Sequence, residues 1–249
     1  MTEAQWLVGE DPRAMVWGLR GLTNLRNKRN GRKLRLFAVA CCHRVRHLLE
    51  QPGAALAVDL AERYADGQAS EADMLSASKL VSKMHAGVWD AYQAACKASS
   101  KHPTYTFRNA YWDGPDYLAA CAVWRSTLWE RIKADPDPPR HERPNAAALA
   151  AKAAERASQA DLLRCVFGNP FRPVTISPAC LTAQVVALAQ AVYEERELPS
   201  GTLDTARLAV LADALEEAGC TDNDVLNHLR GAGPHVRGCW VVDLLLGKE

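Results

Sequence analysis

The strongest constraint on this chain is the spacing of its apolar residues, which recurs every three or four positions along most of the sequence and hardly ever alternates in twos. That period belongs to helices packed on one face, whereas half-buried strands need a period of two. Leu34, Phe37, Ala38, Cys41, Val45, Leu48 and Leu49 fall in one stripe about 120° wide at helical spacing, leaving Arg32, His43, Arg44, Arg46 and His47 off it. Capping residues punctuate the pattern. Asp11-Pro12 reads as N-cap and first helical position of a short helix to Arg20 that stops at Gly21, with a basic loop from Thr23 to Gly31 after it. Leu56, Leu60, Ala61 and Tyr64 mark a helix ended by Gly67, and Ser70 to Asp73 forms a capping box opening another that runs to about Ser99. Asn145 caps an Ala-rich helix through Phe167, and Gly168 to Pro173 turns the chain. Helices near Ser177 to Arg196, Leu203 to Ala218 and Thr221 to Arg230 follow, with Thr221 as an N-cap. Only Val174-Thr175-Ile176 looks strand-like. The expected fold is all-α, an irregular multi-helix bundle of about eight to ten helices without substantial sheet.

Asp135-Pro136-Asp137-Pro138-Pro139 carries three prolines in five residues, which no helix interior tolerates. The expected division is therefore a helical region over 1–134, a Pro-rich linker over 135–144 and a second helical region over 145–249. Within the first region Trp6 and Trp17 read as core anchors, and the stretch Lys101 to Pro115, with Tyr105, Phe107, Tyr111 and Trp112, as an aromatic loop.

At 249 residues and 48% hydrophobic content, the chain can bury a core without covalent staples. Its start lacks the basic and apolar regions of a signal peptide, and no apolar run reaches membrane-spanning length, so a cytoplasmic protein with no membrane association is expected. The eight cysteines then read as reduced thiols, and none forms a CxxC pair. Charge is uneven. Pro12 to Leu49 holds ten Lys/Arg and no Asp or Glu, while Glu194 to Asp224 holds nine acidic residues against Arg196 and Arg207. Arg29, Arg32 and Lys33 are the candidate anion-binding residues of the basic segment 26–46, which could contact nucleic acid or another polyanion. The segment lacks interleaved aromatics and any nucleic-acid motif, so a solvated helix start is the preferred reading.

Chemistry concentrates near the carboxyl end, in His228-Leu229-Arg230-Gly231-Ala232-Gly233-Pro234-His235-Val236-Arg237-Gly238-Cys239-Trp240. With Pro234 opening the last helix, His235, Cys239 and Asp243 would share one face as base, nucleophile and carboxylate. Catalytic groups usually converge from separate elements, and the same residues also read as a turn followed by a docking helix. In that reading Cys239 is an inert buried thiol beside Trp240, its pKa raised by apolar surroundings. Cys220, His228, His235 and Cys239 form a ligand set that zinc accepts. Cys41-Cys42-His43 cannot close on one metal, because Cys41 and His43 point nearly oppositely on a helix. Gly231-Ala232-Gly233-Pro234 has no Lys or Ser/Thr in phosphate-loop register.

Three segments carry a resemblance: Arg32 to Cys42 with Ala61 to Gly67, then Gln159 to Arg164 with Phe167 to Val174, then Leu211 to Cys220 with His235 to Asp243. Together they resemble a family found in many copies in planctomycete-type bacteria. The resemblance implies a bacterial origin, but brings no activity, ligand or catalytic residue. The family's Ala-rich middle tracts are replaced here by the aromatic stretch Tyr105 to Trp129.

The expected function is a non-enzymatic helical module that binds another protein. The alternatives are a zinc-binding or thiol-dependent enzyme centred on Cys239, and polyanion binding through residues 26–46.

Overall fold

A computed structural model describes residues 1–25, 27–49, 52–82 and 146–248. Helix accounts for 67% of the described part, twice the share in an average globular protein, and no strand forms there. Ten α-helices are described: α1 (Glu3–Val8), α2 (Pro12–Leu19), α3 (Lys28–Arg44), α4 (Pro52–Ala65), α5 (Glu71–Ser82), α6 (Ala146–Phe167), α7 (Ala183–Glu194), α8 (Thr205–Glu217), α9 (Asn223–Arg230) and α10 (Trp240–Leu245). The expected linker over 135–144, the aromatic stretch and the Asn145 cap lie outside the described residues.

The chain divides into two compact units, one formed by Gly9–Ala160 and the other by Met1–Val8 with Asp161–Glu249. The boundary thus falls inside α6, and the first eight residues belong with the carboxyl end.

In the Gly9–Ala160 unit, Asp11 caps α2 by accepting from the backbone N–H groups of Arg13 and Ala14. Ser70 and Asp73 cap α5 reciprocally, the Asp73 carboxylate accepting from Ser70 N at 2.8 Å and Ser70 Oγ from Asp73 N at 3.2 Å. The supposed basic loop is partly helix. Asn27 caps α3 through Asn30 N at 2.8 Å, so the helix starts at Lys28 and runs through Gly31. A satisfied cap outweighs the modest helix penalty of one glycine. Burial on α3 extends to polar residues outside the apolar stripe: Lys33 is 4% exposed, Arg35 3% and His43 6%, alongside Leu34 and Phe37 at 0%, whereas Arg44 stays exposed. Arg35 lies over the Tyr64 ring of α4 at 4.7 Å, and burial lowers its pKa to about 10. Arg32 pairs with Asp66 at 3.0 Å, and Arg44 reaches Glu155 at 3.0 Å. Leu56, read as part of the buried side of α4, is instead exposed. So is Trp17, at 62%, its ring covered by the Arg20 guanidinium at 4.4 Å.

In the other unit α7 packs on α8, α8 on α9, and both α7 and α9 on α10. Their interior is Val185, Ala189 and Val192 of α7, Leu208, Leu211 and Leu215 of α8, Val225 and Leu229 of α9, and Val241 and Val242 of α10. Asp222, not Thr221, caps α9 by accepting from Asp224 N and Val225 N. Arg230 ties α9 to α8 through Asp213 and Glu216. Val174-Thr175-Ile176 pairs with nothing as a strand, and the only β-type pairings among the described residues are the isolated bridges Glu197–Thr202 and Thr202–Val236. The last helix begins at Trp240, with Cys239 as its N-cap, and not at Pro234. The chain from Gly231 to Gly238 is irregular, and it carries the chemistry.

Candidate metal centre

Three separately anchored pieces of the carboxyl-terminal unit bring polar side chains to one point. The first is the end of α6, which supplies Cys165. Its position is fixed by α1: buried Trp6 donates its indole N–H to the Gly168 carbonyl at 3.0 Å, and Arg164 Nε donates back to the Trp6 carbonyl at 3.1 Å. Gly168 turns the chain with φ +66°, and a Cβ there would meet the Trp240 ring at 3.0 Å, so only glycine admits this approach. The second piece is the last turn of α9, which supplies His228. The third is the loop that follows, which supplies His235 and Cys239 and is held by Leu203 N donating to the His235 carbonyl and Cys239 N to that of Val236.

Cys165, His228, His235 and Cys239 each offer one ligand atom to a common point, and these four atoms lie within 4.8 Å of one another. His228 Nε2 is 3.2 Å from Cys239 Sγ, and the two imidazoles meet edge to face with centroids 4.9 Å apart. Cys165, His235 and Cys239 are buried, and His228 is half-buried. A tetrahedral zinc ion with Zn–S near 2.3 Å and Zn–N near 2.0 Å needs donor separations of about 3.3–3.8 Å, so the four atoms are close to a first coordination shell.

The state of His235 can be read from its neighbours. Its Nε2 lies 3.0 Å from the Gly231 carbonyl oxygen, which can only accept, so Nε2 carries a hydrogen. In the neutral ring Nδ1 then presents a lone pair, and it is buried with no hydrogen-bond partner. A buried polar atom left in that condition is costly unless something occupies it. The pattern is that of a metal-ligating histidine, whose second nitrogen donates to a backbone carbonyl. Gly233, with φ +92°, shapes the approach, because a Cβ there would press on His235 N at 2.9 Å.

The electrostatics favour a charged sulfur. Burial pushes the Cys239 thiol up, but its contact with Cys165 and the two imidazoles beside it, of which His228 makes the hydrogen bond at 3.2 Å, together hold it well below the usual thiol range. Cys165 moves the other way, raised by its hydrogen bond with Cys239 and by burial. Burial opposes charge on His235, yet the adjacent Cys239 sulfur and the Gly231 carbonyl raise its pKa overall. The expectation of a raised Cys239 pKa is thus corrected, because two imidazoles, not apolar groups alone, face the sulfur.

Of the residues expected to ligate metal, His228, His235 and Cys239 come together, while Cys220 stays outside the group and is buried just after α8. Cys165 takes its place. The expected row of His235, Cys239 and Asp243 on one helix is replaced by a loop and a helix start; His235 and Cys239 still meet, and the fully buried Asp243 lies outside the four. Of the anion-binding candidates, Arg29 is exposed, Arg32 is paired with Asp66 and Lys33 is buried, so they present no common cationic face. No helix among the described residues is long and apolar enough to cross a membrane.

Comparison with protein-family models, with curated proteins and with solved structures gives no match to this chain. What the site does must follow from its own geometry.

Proposed function

We propose that this chain is a non-enzymatic helical module whose carboxyl-terminal unit is clamped by one structural zinc ion, held by Cys165 Sγ, His228 Nε2, His235 Nδ1 and Cys239 Sγ. The observation that carries this reading is the approach of four soft or borderline donors to within 4.8 Å of one another. Two thiolates and two imidazoles are a complete tetrahedral set for zinc, and a complete set leaves no open position for substrate or water. The zinc-dependent enzyme is disfavoured for that reason. The role left to such a unit is to present a rigid surface to another protein, and exposed Leu198 and Val210 supply apolar area on it.

Elemental analysis of the full chain purified without chelator should find one zinc per chain. Cys165→Ala and His235→Ala should abolish retention, while Cys220→Ser should keep it. A cobalt-loaded chain should show the visible absorption of tetrahedral sulfur and nitrogen ligation. A metal-free chain that fails to take up zinc or cobalt would overturn the reading.

One observation favours a second reading, the thiol enzyme: His228 Nε2 lies 3.2 Å from Cys239 Sγ, and the imidazoles beside the sulfur lower its pKa. Its burial at 0% exposure argues against a nucleophile that substrates reach. Rapid alkylation of Cys239 in the zinc-loaded chain, outpacing a free cysteine, would promote this alternative.

A further inference from the structure

We propose that Cys165 and Cys239 are also a redox pair, which a peroxide converts to a disulfide so that the zinc ion is released; this rests on the zinc reading above. The two sulfurs lie within 4.8 Å of each other, inside the same four-atom group. They come from segments far apart in sequence, Cys165 in long helix α6 and Cys239 at the end of the Gly231–Gly238 loop. A disulfide needs its sulfurs about 2.05 Å apart, and the residue on the irregular loop can make that approach without breaking a helix. His228 is the half-buried member of the four, so we take its side as the approach for a molecule as small as hydrogen peroxide. The other cysteines described, Cys41, Cys42, Cys180 and Cys220, lie outside this group.

The step balances without any further reactant. The Cys239 thiolate attacks one peroxide oxygen, the O–O bond breaks, and a sulfenic acid and a hydroxide result. Cys165 sulfur then attacks Cys239 Sγ; the S–S bond forms, the S–O bond breaks and a second hydroxide leaves. Two protons from solvent convert the hydroxides to water. The peroxide gains two electrons, the sulfur pair loses two, and zinc leaves as the divalent ion. Only His228 and His235 remain as donors, half the four that a structural zinc site requires. Reduction by a dithiol restores both thiolates, so release is reversible.

The test uses the full zinc-loaded chain, treated with hydrogen peroxide and followed by a chromogenic zinc chelator and by non-reducing peptide mapping. One zinc should be freed for each Cys165–Cys239 link formed, and dithiothreitol with added zinc should restore the metal content. Cys220→Ser should behave as the parent chain does. Because the link is mapped in the unaltered protein, no variant has to survive the loss of a ligand. A chain that never takes up zinc defeats the metal reading and this inference with it. A chain that takes up zinc and keeps it under peroxide, or loses it with sulfinic acid at Cys239 and no link to Cys165, defeats this inference alone.

Discussion

The two units solve the same problem with different chemistry. Each must hold segments distant in sequence against one another. The Gly9–Ala160 unit does so with ion pairs: Arg44 reaches Glu155 across 111 residues, with Gln159 donating to the same carboxylate at 2.9 Å, and Arg46 grips Asp59 with two hydrogen bonds of 2.7 and 2.9 Å. The carboxyl-terminal unit gathers Cys165, His228, His235 and Cys239 at one buried point. The difference also explains the charge asymmetry. Ten cations without an acid between Pro12 and Leu49 look available for a polyanion, but Asp59, Asp66 and Glu155 meet three of them in space. The acidic stretch in the other unit is partly met by Arg207 and Arg230. Sequence-local charge balance is a poor guide when the counter-ions come from other helices.

The comparison breaks most readily at the metal. If zinc clamps only one unit, chelation should expose the backbone of 161–249 to hydrogen exchange and leave α3 and α4 protected. At a thousandfold excess of zinc over its dissociation constant the lost stabilisation is about 4 kcal/mol. Uniform deprotection of both units, or of neither, would refute the separation. Gly168→Ala should rank next and act on the same unit, because it combines a strained left-handed residue with a clash against Trp240, 3.0 Å from the added carbon. A cost of about 2–4 kcal/mol is expected by denaturant titration, with zinc affinity weakened as Cys165 shifts. A Gly168→Ala chain as stable as its parent would show that the turn and the Trp240 contact do not support the site.

How much of this was legible in the sequence differs between the two units for a physical reason. Helix existence and caps are local, so α2 with Asp11, α5 with its capping box and the overall helical class could be read directly. The ion pairs of α3 could not, because the partners of Arg32 and Arg44 sit on other segments. His228, His235 and Cys239 lie within twelve residues and stood out as a cluster. Cys165 lies 63 residues before His228, and in sequence nothing distinguishes it from Cys220. Only the fold decides which thiol reaches the imidazoles. The FGNPF turn after α6, pinned by Trp6 and packed on Trp240, was the one available hint that the end of α6 meets the HVRGCW loop.

The ion-paired unit should respond to Arg44→Met, which leaves the Glu155 carboxylate, 6% exposed, with only Gln159. Arg44 is itself about one-third exposed (34%), so the cost should fall below that of a fully buried pair, at about 2 kcal/mol. Adding Glu155→Leu should recover part of the loss, since removing both charges is cheaper than stranding one. A double variant less stable than the single would show that Glu155 has a role beyond its pairing with Arg44. Zinc retention should be the same in parent, single and double variants.

The smallest expected effect concerns Asp11, where a cap and an ion pair coincide. Burial pushes its carboxyl up, but the hydrogen bond and charge of Arg156 and the backbone N–H groups of Ala14 and Arg13 hold it below its ordinary value. A carboxylate with a lowered pKa in the folded state contributes stability that is fully present above the unfolded value of about 4. That contribution is lost as pH falls through the folded pKa, because the unfolded chain then binds the extra proton more readily. Asp11→Ala should therefore cost about 1 kcal/mol at neutral pH, the usual price of an N-cap. Asp11→Asn keeps the cap, removes the charge and should cost only a few tenths of that figure, since the pair with Arg156 is largely open to solvent. The two variants separate the contributions by their pH profiles. The gap between parent and Asp11→Asn should close below pH 4, while the gap between Asp11→Asn and Asp11→Ala should persist. If the first gap stays constant down to low pH, the Arg156 pair does not set the Asp11 titration, and ion pairing is not what holds α2 in its unit.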